Sequence, residues 1–206
     1  REGPLPTAVL VDPVGKDTVL EGRLAHGLLG AGWQVLAIDL RATGETALKS
    51  ETVRDAVDHN STEWSIWMGR PLMGQWCWDV TRAIDYLVTR DDVDARNLVL
   101  VGTGAGSLAA ICAAALDDRI RSVAAFGTLA SFATPEPFAG HRMATFVPFL
   151  LDIGDVPHLA ALLAPRRLIL GRPVNAQNQP LDAEAAARAF SVTEFTYQWY
   201  SATSQL

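Results

Sequence analysis

Short unbroken apolar runs alternate with stretches whose apolar residues recur every three or four positions. Thr7–Asp12 is the first such run, and Pro13-Val14-Gly15 ends it. A continuous run of this length suits a strand buried on both faces, as in a parallel sheet. Helical spacing follows from Leu20 to Leu29 and stops at Gly30-Ala31-Gly32. Gln34–Asp39 is a second buried strand, so the opening of the chain predicts a βαβ unit.

Residues 41–68 break the rhythm. They are polar, carry Thr43-Gly44-Glu45 and His59–Thr62, and are expected to form a long loop anchored at its far end by Trp64, Ile66 and Trp67. Pro71 suits the first turn of a helix running to about Thr89, with Trp76, Val80, Ile84 and Leu87 on its core face. Asn97–Val101 is the third strand. It leads through Gly102-Thr103-Gly104-Ala105-Gly106-Ser107 into an alanine-rich helix, Leu108–Leu116, and Arg121–Phe126 is the fourth strand. Residues 128–158 are rich in proline and glycine and read as a lid-like insertion. A short helix (Leu159–Leu163), a strand (Arg167–Leu170), a helix (Ala183–Phe190) and a sixth strand (Phe195–Tyr200) follow.

The fold class expected from this alternation is α/β: residues 1–206 form a single domain with a doubly wound, mainly parallel sheet in three layers. Such sheets bind ligands at the carboxyl ends of their strands. That directs attention to residues 12–16, 39–46, 102–107, 127–132 and 172–178.

Composition removes several function classes. Hydrophobic residues make up 49% and charged residues 19%, which places the chain among folded globular proteins. The net charge is −6 and no basic run is longer than Arg166-Arg167, so a nucleic-acid partner is not expected. No apolar stretch reaches the roughly 20 residues of a membrane span, so neither is a membrane partner. Four scattered histidines offer no ligand spacing, and neither a metal nor a cofactor is expected. Cys77 and Cys112 read as buried thiols; a disulfide between them would need a favourable geometry. The sequence leaves the compartment open.

The glycine-rich turn after the third strand admits two chemical readings. A dinucleotide loop needs glycine at its first, third and sixth positions and an acid about 20 residues on, after the next strand. Here the sixth position is Ser107, and the next strand ends in Phe126-Gly127-Thr128. A nucleophile elbow, G-x-S-x-G, fits the same strand-to-helix turn. Gly102 and Gly106 fill its outer positions, and Gly104 stands at its centre.

Three further segments join the elbow: Asp39–Glu45 after a strand, Gly69–Gly74 leading into Trp78–Leu87, and Leu159–Leu168 entering a strand. With them the chain resembles the α/β-hydrolase superfamily and, within it, the acetyl xylan esterase-like carbohydrate esterases. The resemblance covers most of the chain. It implies that the family's first two strands are missing and that the chain is a piece of a longer protein.

Carried over position by position, the resemblance implies a degenerate site. The nucleophile position is Gly104. Asn175, within Pro173–Ala176, stands where the acid is expected, and Asp182 is a second candidate acid. The histidine should follow the last strand, and Ser201–Leu206 contains none. The oxyanion hole would be backbone, from the amide of Ala105 and that of Val14 or Gly15. Ser107 is an alternative nucleophile, although a hydroxyl in the first turn of a helix generally bonds locally to backbone. His141 is the one histidine entertained near the pocket. Trp64, Trp67, Trp76 and Trp78 either pack the core or offer faces to sugar rings.

The resemblance therefore implies an esterase-like domain that has lost its chemistry. It would serve as a binding or structural module for a carbohydrate or ester ligand, alongside other domains or in an oligomer. The alternative is an active serine esterase using Ser107 or residues outside this chain.

Overall fold

The computed structural model describes residues 3–54 and 56–206. Its extended segments are β1 (Leu5–Val11), β2 (Gln34–Ile38), β3 (Val93–Thr103), β4 (Ser122–Phe126) and β5 (Arg167–Gly171). All pair in parallel, in the order β2-β1-β3-β4-β5. At the centre of the register Val9 lies between Leu36 of β2 and Leu100 of β3.

The helices are α1 (Lys16–Leu20), α2 (Arg23–Gly30), α3 (His59–Trp67), α4 (Leu72–Leu87), α5 (Ala105–Leu116), α6 (Val156–Ala161), α7 (Ala183–Ala189) and α8 (Ser191–Trp199). Successive strand residues point to opposite faces. Val9, Val11, Leu98, Leu100 and Leu168 therefore join Trp76, Ile84, Leu108, Ile111 and Tyr197 in the larger core. Ala8, Leu10, Val101 and Ala124 meet Ala25 and Leu28 of α2 on the other side. Burial on both faces is what makes the central strands unbroken apolar runs.

The strand order reverses between β1 and β3: the chain steps outward from β1 to β2, then returns to the other side of β1. The carboxyl ends of β1 and β3 flank that switch point, where crevices form in sheets of this kind.

Four expectations change. The helix placed at Leu20–Leu29 starts later, as α2 at Arg23 after an extended Gly22, and is preceded by a separate short helix, α1. The stretch read as loop up to Met68 contains α3. That helix buries Thr62 and Ser65 rather than an apolar stripe, so it leaves no hydrophobic period to read. The helix after the glycine turn starts at Ala105 rather than Leu108.

The expected sixth strand, Phe195–Tyr200, lies mostly within helix α8, so the sheet has five strands. Its aromatic residues favour strand locally. Tertiary contacts win: Thr193 and Tyr197, one turn apart, are buried together. Their hydroxyls donate to the carbonyls of Pro157 (2.7 Å) and Arg166 (2.6 Å).

Residues 128–155 form an irregular excursion with short 3-10 turns at 143–145 and 150–152. Cys77 and Cys112 are free thiols on α4 and α5. Hydrogen bonding with Cys112, together with burial, pushes the Cys77 thiol well above its usual range. Among the described residues no helix is long and apolar enough to cross a membrane.

Candidate active-site cleft

The turn between β3 and α5 rests on three glycines with different reasons to be glycine. A Cβ on Gly102 would lie 2.3 Å from the Gly106 carbonyl oxygen, and one on Gly106 would lie 2.8 Å from that of Val11. The outer glycines are therefore required by the close approach of strand and helix. At Gly104 an added Cβ would meet only Pro13 Cγ, at 3.6 Å. The constraint there is conformational: φ is 50° and ψ −127°, which glycine reaches without a Cβ penalty. A side chain at this apex would have space and would carry backbone strain. The Gly104 N–H donates to the Phe126 carbonyl at 2.8 Å, tying the apex to the end of β4.

A cleft of about 190 Å³ opens over this apex. Pro13, Gly104, Ala105, His141, Arg142 and Asn178 are among its lining residues. The excursion thus brings His141 over the elbow together with Arg142, which sequence reasoning did not single out, and Asn178 joins them from the loop after β5. His141 Nε2 lies 2.9 Å from the Asn175 carbonyl oxygen. That oxygen can only accept, so Nε2 carries a proton and donates to it.

The contact with Asn175 is through its main chain. Its side-chain oxygen accepts from the amides of Gln177 (3.0 Å) and Gln179 (2.9 Å) and shapes the loop after β5. Asp182 caps α7 by accepting from the Ala185 amide at 2.7 Å and does not line the cleft.

Ser107 is fully buried. Its hydroxyl donates to the Gly104 carbonyl at 2.5 Å and accepts from Thr128 Oγ1 at 2.6 Å. Of the expected oxyanion donors, Val14 and Gly15 are engaged by Asp12. The Val14 amide donates to its carboxylate (2.7 Å) and the Gly15 amide to its carbonyl (3.1 Å). The Ala105 N–H, first in α5, has no acceptor among the described residues.

The floor beside the cleft is pinned by charge. Lys16 Nζ reaches Asp39 Oδ2 at 2.7 Å and also bonds Glu45. Burial pushes the Asp39 carboxyl up, but hydrogen bonds from Lys16 and from the Glu45 amide outweigh it and hold the group below its usual range.

A second anchor comes from Asp58, which is fully buried in the stretch read as loop. It accepts from the amides of Met143 (2.8 Å) and Ala144 (2.9 Å), directly after His141-Arg142. Nothing in the local pattern marks it, because its partners lie far along the chain.

The four tryptophans divide. Trp76 is fully buried and its indole donates to the Arg41 carbonyl at 2.7 Å, whereas Trp64, Trp67 and Trp78 are 49%, 72% and 54% exposed. Among the described residues no cluster of metal-ligating side chains occurs.

No family model matches the chain. Among curated proteins it is similar to YtaP of Bacillus subtilis (strain 168), a protein named as a hydrolase. The two are 26% identical over 162 residues, which is 74% of this chain and 52% of that protein. Among solved structures it superposes on a Bacteroides fragilis protein named as an acetyl xylan esterase. The TM-score is 0.76 at 16% identity, over 99% of this chain and 58% of the other. It also superposes on a carbohydrate esterase family 15 glucuronoyl esterase from Caldicellulosiruptor kristjansonii. There the TM-score is 0.68 at 14% identity, over 100% of this chain and 62% of the other. The chain has the α/β-hydrolase fold, and it spans about half the length of the curated relative it matches.

Proposed function

We propose that this chain is a non-catalytic, esterase-like α/β-hydrolase domain that binds an ester-bearing carbohydrate without cleaving it. The observation that carries the proposal is Gly104, which sits at the apex of the elbow with the backbone dihedrals of the turn and no side chain. Acyl transfer through such a turn needs an attacking oxygen or sulfur there, a base beside it and donors for the oxyanion.

Two further placements support this reading. The Ser107 hydroxyl is buried between two hydrogen-bond partners. The Asn175 side chain is spent on its own loop. What the cleft retains suits binding: the Ala105 N–H at the start of a helix and the side chains of His141 and Arg142. The names of the superposable proteins, an acetyl xylan esterase and a glucuronoyl esterase, suggest the ligand class.

One observation favours a second reading, an active ester hydrolase. His141 faces the same cleft as Gly104, and an imidazole there could serve as a base for water or for a nucleophile supplied from outside this chain. A fluorophosphonate probe separates the two. No site-specific labelling is expected. Labelling that maps to Ser107 and disappears in Ser107→Ala would replace the proposal with the active reading.

A further inference from the structure

A second cleft, of about 590 Å³, lies away from the elbow and is lined by Arg41, Arg70, Pro71, Gly74, Gln75 and Trp78. It shares no lining residue with the first. Helix α4 builds most of it: Gly74 and Trp78 stand one turn apart on the same face, with Gln75 beside them.

The wall is held in place before any ligand arrives. Arg41 Nε lies 2.9 Å from Asp79 Oδ1, and another of its N–H groups donates to Gln75 Oε1 at 3.1 Å. Gln75 Nε2 donates to Ser65 Oγ (3.0 Å) and to the Arg70 carbonyl (2.8 Å). Side chains fixed in this way lose little freedom on binding. Arg41 still has N–H donors to spare, and Arg70 has no acidic partner among the described residues.

Trp78 is 54% exposed, and the guanidinium of Arg82 stacks 4.2 Å from its ring centre. Trp78 lines the cleft and Arg82 does not. Gly74 lines the cleft, and a Cβ there would meet no atom within 4 Å. The missing side chain keeps the cleft open.

We propose that this cleft binds an acidic saccharide. The indole face suits the C–H face of a pyranose, and the two guanidiniums suit a carboxylate, which they can grip in bidentate fashion. Arg41, paired with Asp79, and Arg70 both line the cleft, and no carboxylate is among its described lining residues, so in a chain of net charge −6 the cleft favours an anion. The site stands whether or not the elbow is catalytic.

The test is calorimetric titration of the intact chain with tetragalacturonate, with cellotetraose as the neutral probe and AMP as an anionic, stackable probe of another class. Saturable binding of tetragalacturonate is expected, tighter than that of either other probe. Trp78→Ala is expected to weaken it by about tenfold or more. Arg70→Gln is expected to remove most of the preference over cellotetraose. Gly74→Leu, whose Cβ would meet no atom within 4 Å, is expected to abolish binding by occupying the cleft while the melting temperature stays level or rises. Gly27→Ala is the matched control, a glycine in α2 with equally open surroundings that should leave binding unchanged. Absence of saturation at concentrations on the order of 10 mM would overturn the proposal. So would equal affinity for cellotetraose or AMP, or binding that survives both Trp78→Ala and Gly74→Leu.

Discussion

The turn between β3 and α5 and the excursion above it meet at one cleft, and they are held in place by different physics. The turn is fixed by hard contact: at Gly102 and Gly106 any Cβ would collide with backbone. The excursion, residues 128–155, is fixed by a few carboxylates. Asp58 binds the Met143 and Ala144 amides, and Asp155 takes hydrogen bonds from Ser131 and from the Phe132 and Val156 amides. Steric requirements leave a local signature in the sequence. Hydrogen bonds between residues distant along the chain leave none.

The contrast predicts a graded series. The largest effect is expected for Gly102→Ala. Its new Cβ has no room to move away from backbone, so a global loss of about 3 kcal/mol should appear in denaturant unfolding. A cost under about 1 kcal/mol would mean that strand and helix separate easily.

Asp58→Ala comes next. It strands two amides, one of them buried, and should cost about 2 kcal/mol, appearing first as protease cutting within 128–155 while the sheet stays folded. Cooperative loss of the whole domain instead would erase the distinction between the two regions.

Gly104→Ser should be milder, about 1–2 kcal/mol from backbone strain alone, because Pro13 leaves space for the side chain. That substitution alone should create no esterase activity. A large rate gain would show that His141 is already poised as a base.

The smallest effect is a pH dependence. Burial raises the Asp155 carboxyl, but hydrogen bonds from Ser131, Phe132, Val156 and Ala133 prevail and hold it below its usual value. Its folded pKa therefore lies under the unfolded one, near 3.9. Its contribution is fully present above that pH and is lost as pH falls through the folded value. Amide exchange in 131–133 should accelerate below about pH 4, and Asp155→Asn should remove the pH dependence.

The same contrast explains what was legible. Strands β1 and β4 could be read because both faces are largely buried, β3 because its second half is, and the edge strands β2 and β5 from their short apolar runs alone. The elbow could be read because two of its glycines answer to contact. Helix α3 hid because its buried residues, Thr62 and Ser65, are polar, and α8 hid because Phe195, Tyr197, Trp199 and Tyr200 suit a strand locally. The Asn175 side chain serves the loop after β5, while its carbonyl meets His141, a division that the sequence does not show. The amides of Val14 and Gly15 turn back to Asp12, a geometry no spacing rule conveys. Arg142 enters the cleft because the excursion folds back over the apex, and Asn178 enters it from the loop after β5.

The central claim is that a cleft built around Gly104 holds an ester without breaking it. The most direct measurement is steady-state turnover of p-nitrophenyl acetate and of acetylated xylo-oligosaccharides by the purified chain, against the same chain heat-denatured. The two rates should coincide for both substrates. Saturable turnover by the folded chain alone, abolished by His141→Ala, would contradict the account.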